Sequence, residues 1–170
     1  MKKFLLSGFV MLALHSAMAQ SPYISVKDAE HPGQHILNGI ITKYALQNDP
    51  TYKWYNSSQS SYAPAADVVN AMKSAIGNKQ MIVFGGTWCE DTQFILPKFF
   101  KLQEQSAFPD NAVSFFAVDR NKKTIGGITD ALKIINVPTI IVMKDGKEIG
   151  RVVEYGKTGQ WDKELMELLK

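Results

Sequence analysis

The sequence contains a single cysteine, Cys89, within the stretch GGTWCEDT that spans residues 85–92. Trp88 precedes it, and Thr92 stands three positions on, where a second cysteine would complete a dithiol pair. A lone thiolate attacks a disulfide to form a mixed disulfide, but it cannot resolve that bond by itself. Release then needs an external thiol, so these residues predict single-cysteine disulfide exchange of the isomerase or deglutathionylase kind.

The surroundings of Cys89 favour a reactive thiol over an inert buried one. We expect it at the N-terminus of a helix, where unpaired N–H groups and the macrodipole stabilise an anion. The Thr92 hydroxyl, one helical turn on, is expected to donate a hydrogen bond to the sulfur. The carboxylates of Glu90 and Asp91 oppose a second negative charge there, so we expect moderate activation.

The first 19 residues have the pattern of a secretory signal peptide. Lys2 and Lys3 precede an apolar run, and Ala17-Met18-Ala19 forms a cleavage site. The run is too short for a spanning helix, which needs about 20 apolar residues, so no membrane association is expected after cleavage. The signal is of bacterial type and predicts a periplasmic or secreted protein.

Composition excludes several classes of function. The 170-residue chain carries a net charge of +3, and removal of Lys2 and Lys3 leaves +1 with no basic patch, which argues against nucleic acid as a partner. One cysteine rules out an internal disulfide framework and a cysteine-rich metal site. We expect no cofactor and no metal.

Hydrophobic periodicity predicts alternating helices and strands. Apolar spacing predicts a helix over about 34–48, a loop over 51–64 and a second helix over about 65–76. Further along, the predicted elements are strands at 81–84, 113–118, 139–143 and 148–153, and helices at about 91–105, 128–135 and 160–169. This order indicates an α/β protein with a mixed sheet and helices on both sides.

From about Met81 to Lys170 the chain resembles the thioredoxin superfamily. Trp88-Cys89 matches the start of its W-C-x-x-C motif, and Pro97 matches the proline of its active-site helix. Pro138, in NVPTIIVMKDGKEIGR, matches its cis-proline. The resemblance implies a thioredoxin-like three-layer sandwich over residues 64–170, here with an N-terminal helical extension over 20–63 after the signal peptide of 1–19.

The same resemblance implies how a substrate would bind. In the superfamily the backbone of the residue before the cis-proline, here Val137, pairs with a substrate chain as an added strand. Trp88, Val137 and Pro138 are therefore the expected substrate-binding residues, and Cys89 and Thr92 the catalytic ones. The expected partners are disulfides and thiols of proteins or small molecules.

Two departures from the superfamily pattern bear on the mechanism. Thr92 replaces the resolving cysteine, and the acid that the superfamily buries near the position of Val83 is absent. Both losses affect the resolving step. A binding or chaperone-like module that keeps the peptide groove without turnover is the main alternative, and a homodimer linked through Cys89 is another. A glutaredoxin-like glutathione or iron–sulfur site would need a glycine-rich run that residues 88–92 lack.

Other polar and aromatic residues carry weaker signals. His31 and His35 have the spacing of a helical metal pair, but Pro32 and Gly33 break such a helix, and a Cys–His hydrolase would need one of them near Cys89. Four aromatic residues are expected to form a lid over the thiol, a partner surface or the closure of a hydrophobic edge. These are Tyr52, Trp54, Tyr55 and Tyr62.

Overall fold

The computed structural model describes residues 21–170, so the predicted signal peptide of residues 1–19 lies outside the described residues. The strands are β1 Tyr23–Lys27, β2 His35–Ile41, β3 Gln80–Gly85, β4 Val113–Ala117, β5 Thr139–Lys144 and β6 Lys147–Val153. The helices are α1 Lys43–Gln47, α2 Lys53–Ser60, α3 Ala66–Ser74, α4 Glu90–Gln105, α5 Ile128–Ala131 and α6 Trp161–Leu169. Short 3₁₀ turns occupy Asp110–Ala112 and Ile125–Gly127.

The six strands form one mixed sheet in the order β1-β2-β4-β3-β5-β6. β3 lies at its centre, parallel to β4 and antiparallel to β5. The turn between β5 and β6 places Asp145 and Gly146 at φ values of 51° and 74°, the left-handed backbone that a two-residue hairpin requires. The predicted mixed sheet and closing hairpin are confirmed.

Apolar side chains cover both faces of the sheet. On one face, Val83 of β3 packs within a large cluster that includes Met72 of α3, Phe99 of α4 and Leu165 of α6. On the other face, a smaller cluster forms beneath α5 and the loop that follows it. Its buried members are Phe84, Phe116, Val118, Ile134, Val137 and Ile141. The sheet therefore has cover on both sides, as the predicted fold class requires.

The predicted helix over 34–48 is wrong for its first half, which forms β2. Ile36 and Leu37, like Ile40 and Ile41, are adjacent apolar pairs, and such pairs suit an amphipathic helix and a strand covered on both faces equally well. Leu37 and Ile41 are buried in the large cluster. Gly39 marks the strand, because its φ is 130° and an added Cβ would lie 2.4 Å from the Pro22 carbonyl oxygen.

The predicted loop over 51–64 contains helix α2, so that prediction is also wrong. The serine- and asparagine-rich composition of this segment gives no sign of its tertiary contact, in which α2 packs against α4. Tyr55 of α2 is fully buried, and the Ser58 hydroxyl donates to the Phe94 carbonyl oxygen at 2.8 Å. Packing against α4 therefore outweighs the weak helix propensity of these residues.

The aromatic residues of this region close the hydrophobic core and do not form a lid. Tyr52 and Tyr55 are buried within the large cluster, and Trp54 and Tyr62 pack against it. Residues 21–63 thus supply two strands and two helices to the same sheet and core. Within residues 21–170, every helix is too short or too polar to cross a membrane.

Candidate active site

Cys89 lies at the point where the turn after β3 enters α4. Its backbone is extended, with φ −93° and ψ 123°, so it is the N-cap residue of α4. Its N–H donates to the Gly86 carbonyl oxygen at 2.9 Å, and its own carbonyl accepts from the Gln93 N–H at 3.0 Å. These two bonds close the turn and fix the position from which the Cys89 side chain projects.

The Cys89 sulfur lies against the loop that precedes β5. Its thiol donates a hydrogen bond to the Val137 carbonyl oxygen at 3.2 Å. The peptide bond between Val137 and Pro138 is cis, and both residues are buried. Cys89 itself is only partly buried, so solvent can reach this residue. The structure thus brings Cys89, Val137 and Pro138 together from parts of the chain 48 residues apart.

The Thr92 hydroxyl makes a different hydrogen bond from the expected one to the Cys89 sulfur. Its oxygen accepts a hydrogen bond from the Gly86 N–H at 3.2 Å, and the residue is 1% exposed. The hydrogen bond of the Cys89 sulfur within the described residues goes to Val137 instead. Gly86 is buried, so its N–H needs an acceptor from the protein, and Thr92 supplies one.

Trp88 is held at the edge of the site by its indole nitrogen. Nε1 donates to the Val118 carbonyl oxygen at 3.0 Å, just beyond the end of β4. Trp88 and Cys89 both pack against the smaller hydrophobic cluster, and the Arg120 guanidinium carbon lies 5.4 Å from the centre of the indole ring. Trp88 is therefore both part of the site rim and part of the packing beneath it.

The active-site turn is also bonded to β2. Thr87 donates to the His35 carbonyl oxygen at 2.9 Å, and its hydroxyl oxygen accepts from the Leu37 N–H at 3.3 Å. The Gln93 side chain of α4 donates to the Thr87 carbonyl oxygen at 2.8 Å. The N-terminal segment therefore buttresses the turn that carries Cys89.

Sequence reasoning missed three exposed apolar residues on segments that adjoin the site. Phe94 of α4 and Tyr155 beyond β6 are 48% and 38% exposed, with ring centres 5.8 Å apart. Ile135, two residues before Val137, is 75% exposed. Burial and the neighbouring Asp91 carboxylate raise the pKa of Tyr155. No spacing signal links these residues, because the fold alone brings their segments to one end of the sheet.

The buried carboxylate and the histidines of the described residues bond to groups other than the Cys89 sulfur. Val83 is fully buried among apolar side chains, and within residues 21–170 the one buried carboxylate is Asp28. The imidazole of His31 lies 3.1 Å from Asp28, and that of His35 lies 3.0 Å from the Ser25 hydroxyl. The described residues contain no cluster of three or more side chains suited to a metal ion.

Comparison with known proteins identifies the family. The model of the family described as Thioredoxin matches residues 40–167. Thioredoxin-like protein R548 of Acanthamoeba polyphaga mimivirus is 30% identical over 95 residues, which cover 54% of this chain and 66% of that protein. Thioredoxin-1 of Saccharomyces cerevisiae is 30% identical over 82 residues, which cover 47% of this chain and 74% of the yeast protein.

Among solved structures, oxidized thioredoxin O1 from Arabidopsis thaliana has 33% sequence identity and a TM-score of 0.39. The match covers 58% of this chain and 86% of that one. The family model spans most of the sequence, including β3, Cys89 and the loop before β5. This chain therefore belongs to the thioredoxin family.

Proposed function

We propose that the protein is a thiol–disulfide exchange protein that acts through Cys89 alone. The observation that carries this proposal is the position of the sulfur. It is partly exposed at the N-terminus of α4 and lies 3.2 Å from the carbonyl oxygen of Val137, beside Pro138. A thiolate there benefits from the unpaired N–H groups of the first helical turn.

The reaction has two balanced steps. The Cys89 thiolate attacks one sulfur of a substrate disulfide, the S–S bond breaks, and the other sulfur leaves as a thiolate that takes a proton from water. An external thiol, or a second thiol of the substrate, then attacks the mixed disulfide and releases Cys89. When a small thiol attacks the substrate sulfur of the mixed disulfide, Cys89 leaves as its thiolate and the small thiol becomes disulfide-bonded to the substrate. A second small thiol then attacks that bond, which completes reduction of the substrate and forms the small-molecule disulfide. Attack by a second thiol of the substrate instead rearranges the substrate's disulfides without net redox change.

The loop before β5 suits a substrate backbone. No hydrogen bond within residues 21–170 uses the Val137 N–H, so it remains a donor for an extended peptide that adds beside the loop. Trp88 and the exposed side chains of Phe94 and Ile135 offer apolar contacts around it. We propose disulfides of proteins or peptides as substrates, and a small thiol as the releasing partner.

We further propose that the protein works in the periplasm or outside the cell. Lys2, Lys3, the apolar run and Ala17-Met18-Ala19 support this location. N-terminal sequencing of the protein recovered from a bacterial periplasmic fraction is expected to begin at Gln20. An uncleaved chain retained in the cytoplasm would contradict this proposal.

The test of function follows exchange between the purified protein and a fluorescent peptide disulfide, with and without glutathione. We expect a trapped mixed disulfide without glutathione and turnover with it. Cys89→Ser should lose both, and wild-type protein alkylated with iodoacetamide is the matched control because it keeps the sequence and blocks the sulfur. Tight peptide binding without a mixed disulfide would instead favour the non-catalytic binding module. A stable dimer that only reductant dissociates would favour the disulfide-linked homodimer.

A further inference from the structure

The hairpin between β1 and β2 carries a carboxylate that is almost completely buried. The Asp28 side chain is 1% exposed, although it lies in a connection at the sheet edge. It accepts hydrogen bonds from the Glu30 N–H at 3.0 Å and lies 3.1 Å from Nδ1 of His31. Ionised side chains are seldom buried without an opposite charge, so a buried Asp28 carboxylate requires a cationic partner.

That partner is Arg120, which follows β4. Its Nη2 donates to both oxygens of Asp28, at 3.0 Å and 2.8 Å. Its Nη1 lies 2.8 Å from Glu30, so both carboxylates of the hairpin bind one guanidinium. Burial opposes the ionisation of Asp28, but the bonds from Arg120, the Glu30 N–H and His31 outweigh it and lower the pKa of this carboxyl to about 2.

The guanidinium also lies over the residue that precedes the cysteine. The Arg120 carbon Cζ is 5.4 Å from the centre of the Trp88 ring, within the range of a cation–π contact. The Trp88 Nε1 donates to Val118, two residues before Arg120. The segment from Val118 to Arg120 therefore holds the indole by its polar edge and by its face.

We propose that Asp28 and Arg120 are positioning residues, which act as a latch to fix the Trp88 indole next to Cys89. The hairpin orients Arg120, Arg120 packs on Trp88, and Trp88 adjoins the sulfur in sequence and packs in the same cluster. The effect of the latch on exchange rests on the proposed function, whereas its effect on Trp88 does not. Loss of the latch is expected to slow exchange with peptides more than reaction with small reagents, because a displaced indole obstructs an extended peptide more than it obstructs a small reagent.

The experiment labels the protein with 5-fluorotryptophan and records the ¹⁹F resonances of Trp54, Trp88 and Trp161. The Trp88→Phe variant identifies the Trp88 resonance by its absence. A soluble paramagnetic agent then reports the exposure of each ring. In Asp28→Asn we expect at least about twofold greater broadening of the Trp88 resonance, with Trp54 and Trp161 unchanged. Glu148→Gln is the matched control, because it breaks a carboxylate–arginine pair with Arg151 on β6, at the opposite end of the sheet.

Exchange is measured on the same variants. Asp28→Asn is expected to slow exchange with the peptide disulfide by about tenfold, as loss of a positioning contact does, while alkylation of Cys89 by iodoacetamide stays within about twofold of the wild type. If wild-type protein shows no exchange, the proposed function fails. The fluorine spectra still test whether Asp28 and Arg120 position Trp88.

An unchanged Trp88 resonance in Asp28→Asn would overturn the latch, as would equal changes at all three tryptophans in a folded variant. If Asp28→Asn does not fold, Arg120→Lys decides, since it keeps the charge that neutralises Asp28 and loses the planar fork that stacks on the ring. Selective broadening of Trp88 in that variant supports the latch, and its absence contradicts it.

Discussion

The hydroxyl oxygen of Thr92 accepts a hydrogen bond from the backbone N–H of Gly86 at 3.2 Å. The side chain at the position of the missing second thiol therefore stabilises the turn before Cys89. The sulfur has its own partner, the carbonyl oxygen of Val137. The Thr92 side chain thus has a structural role, and the next two predictions depend on its bond being to Gly86 and not to the Cys89 sulfur.

Thr92→Val should destabilise the fold by about 1–3 kcal/mol. Valine nearly matches threonine in shape but leaves the buried Gly86 N–H without an acceptor, and an unsatisfied buried group carries a cost of this size. Thr92→Ser is the matched control, because it keeps the oxygen and loses only the methyl group. Urea unfolding measures both free energies. A Thr92→Val variant as stable as the wild type would contradict the structural role of this hydrogen bond.

Thr92→Cys should give the protein a disulfide-reducing activity that needs no external thiol to release Cys89 from the mixed disulfide. The new thiol stands one turn after Cys89 and can attack the mixed disulfide, which releases the reduced substrate and leaves a disulfide between residues 89 and 92. We expect slow turnover, because the buried Val83 occupies the position of the superfamily's buried acid. No carboxylate is therefore present there to move a proton. An insulin-type reduction assay with a recycling reductant measures the gain, with Thr92→Ser as control. No gain would indicate that substrates do not reach Cys89.

The second half of the fold is predictable from sequence because its signals are local. The apolar run of β3, the residues Trp88-Cys89 and the Asp145-Gly146 turn each report their structure within a few positions. β2 and α2 are not predictable in this way. The adjacent apolar residues Ile36 and Leu37 fit the helical period and a strand covered on both faces equally well. Helix α2 depends on packing against α4. The sequence identified Cys89 and Pro138 but not the latch, because Asp28 and Arg120 lie 92 residues apart and only the fold joins them.

The contribution of Asp28 to stability should disappear in acid. The pKa of this carboxyl in the folded protein, about 2, lies below the ordinary aspartate value of 3.8. Its stabilisation is therefore present above pH 4 and is lost as the pH falls through 2. We expect about 1 kcal/mol, since His31 is half exposed and Arg120 partly so, and solvent weakens both contacts. Urea unfolding of wild type and Asp28→Asn between pH 6 and pH 2 tests this. A stability difference independent of pH would contradict it.

Lys43 at the start of α1 makes a different kind of ion pair. Its side chain is 6% exposed, and Nζ lies 3.0 Å from Asp110 and 3.2 Å from Glu104. Burial alone would lower the pKa of Lys43, but these two carboxylates raise it. The carboxylates are themselves 55% and 39% exposed, so water can replace the lysine around them if it is removed.

Lys43→Met should therefore cost about 2 kcal/mol, mainly through the buried Gln103. The side-chain oxygen of Gln103 accepts from Lys43 at 3.4 Å and would lose that partner, and a buried acceptor left unpaired costs about 1–3 kcal/mol. Glu104→Gln should cost less than about 1 kcal/mol, because a half-exposed carboxylate contributes little through its charge. Urea unfolding of the two variants at pH 7 measures both values. A larger loss for Glu104→Gln than for Lys43→Met would mean that charge pairing, and not the satisfaction of Gln103, holds α1 against α4.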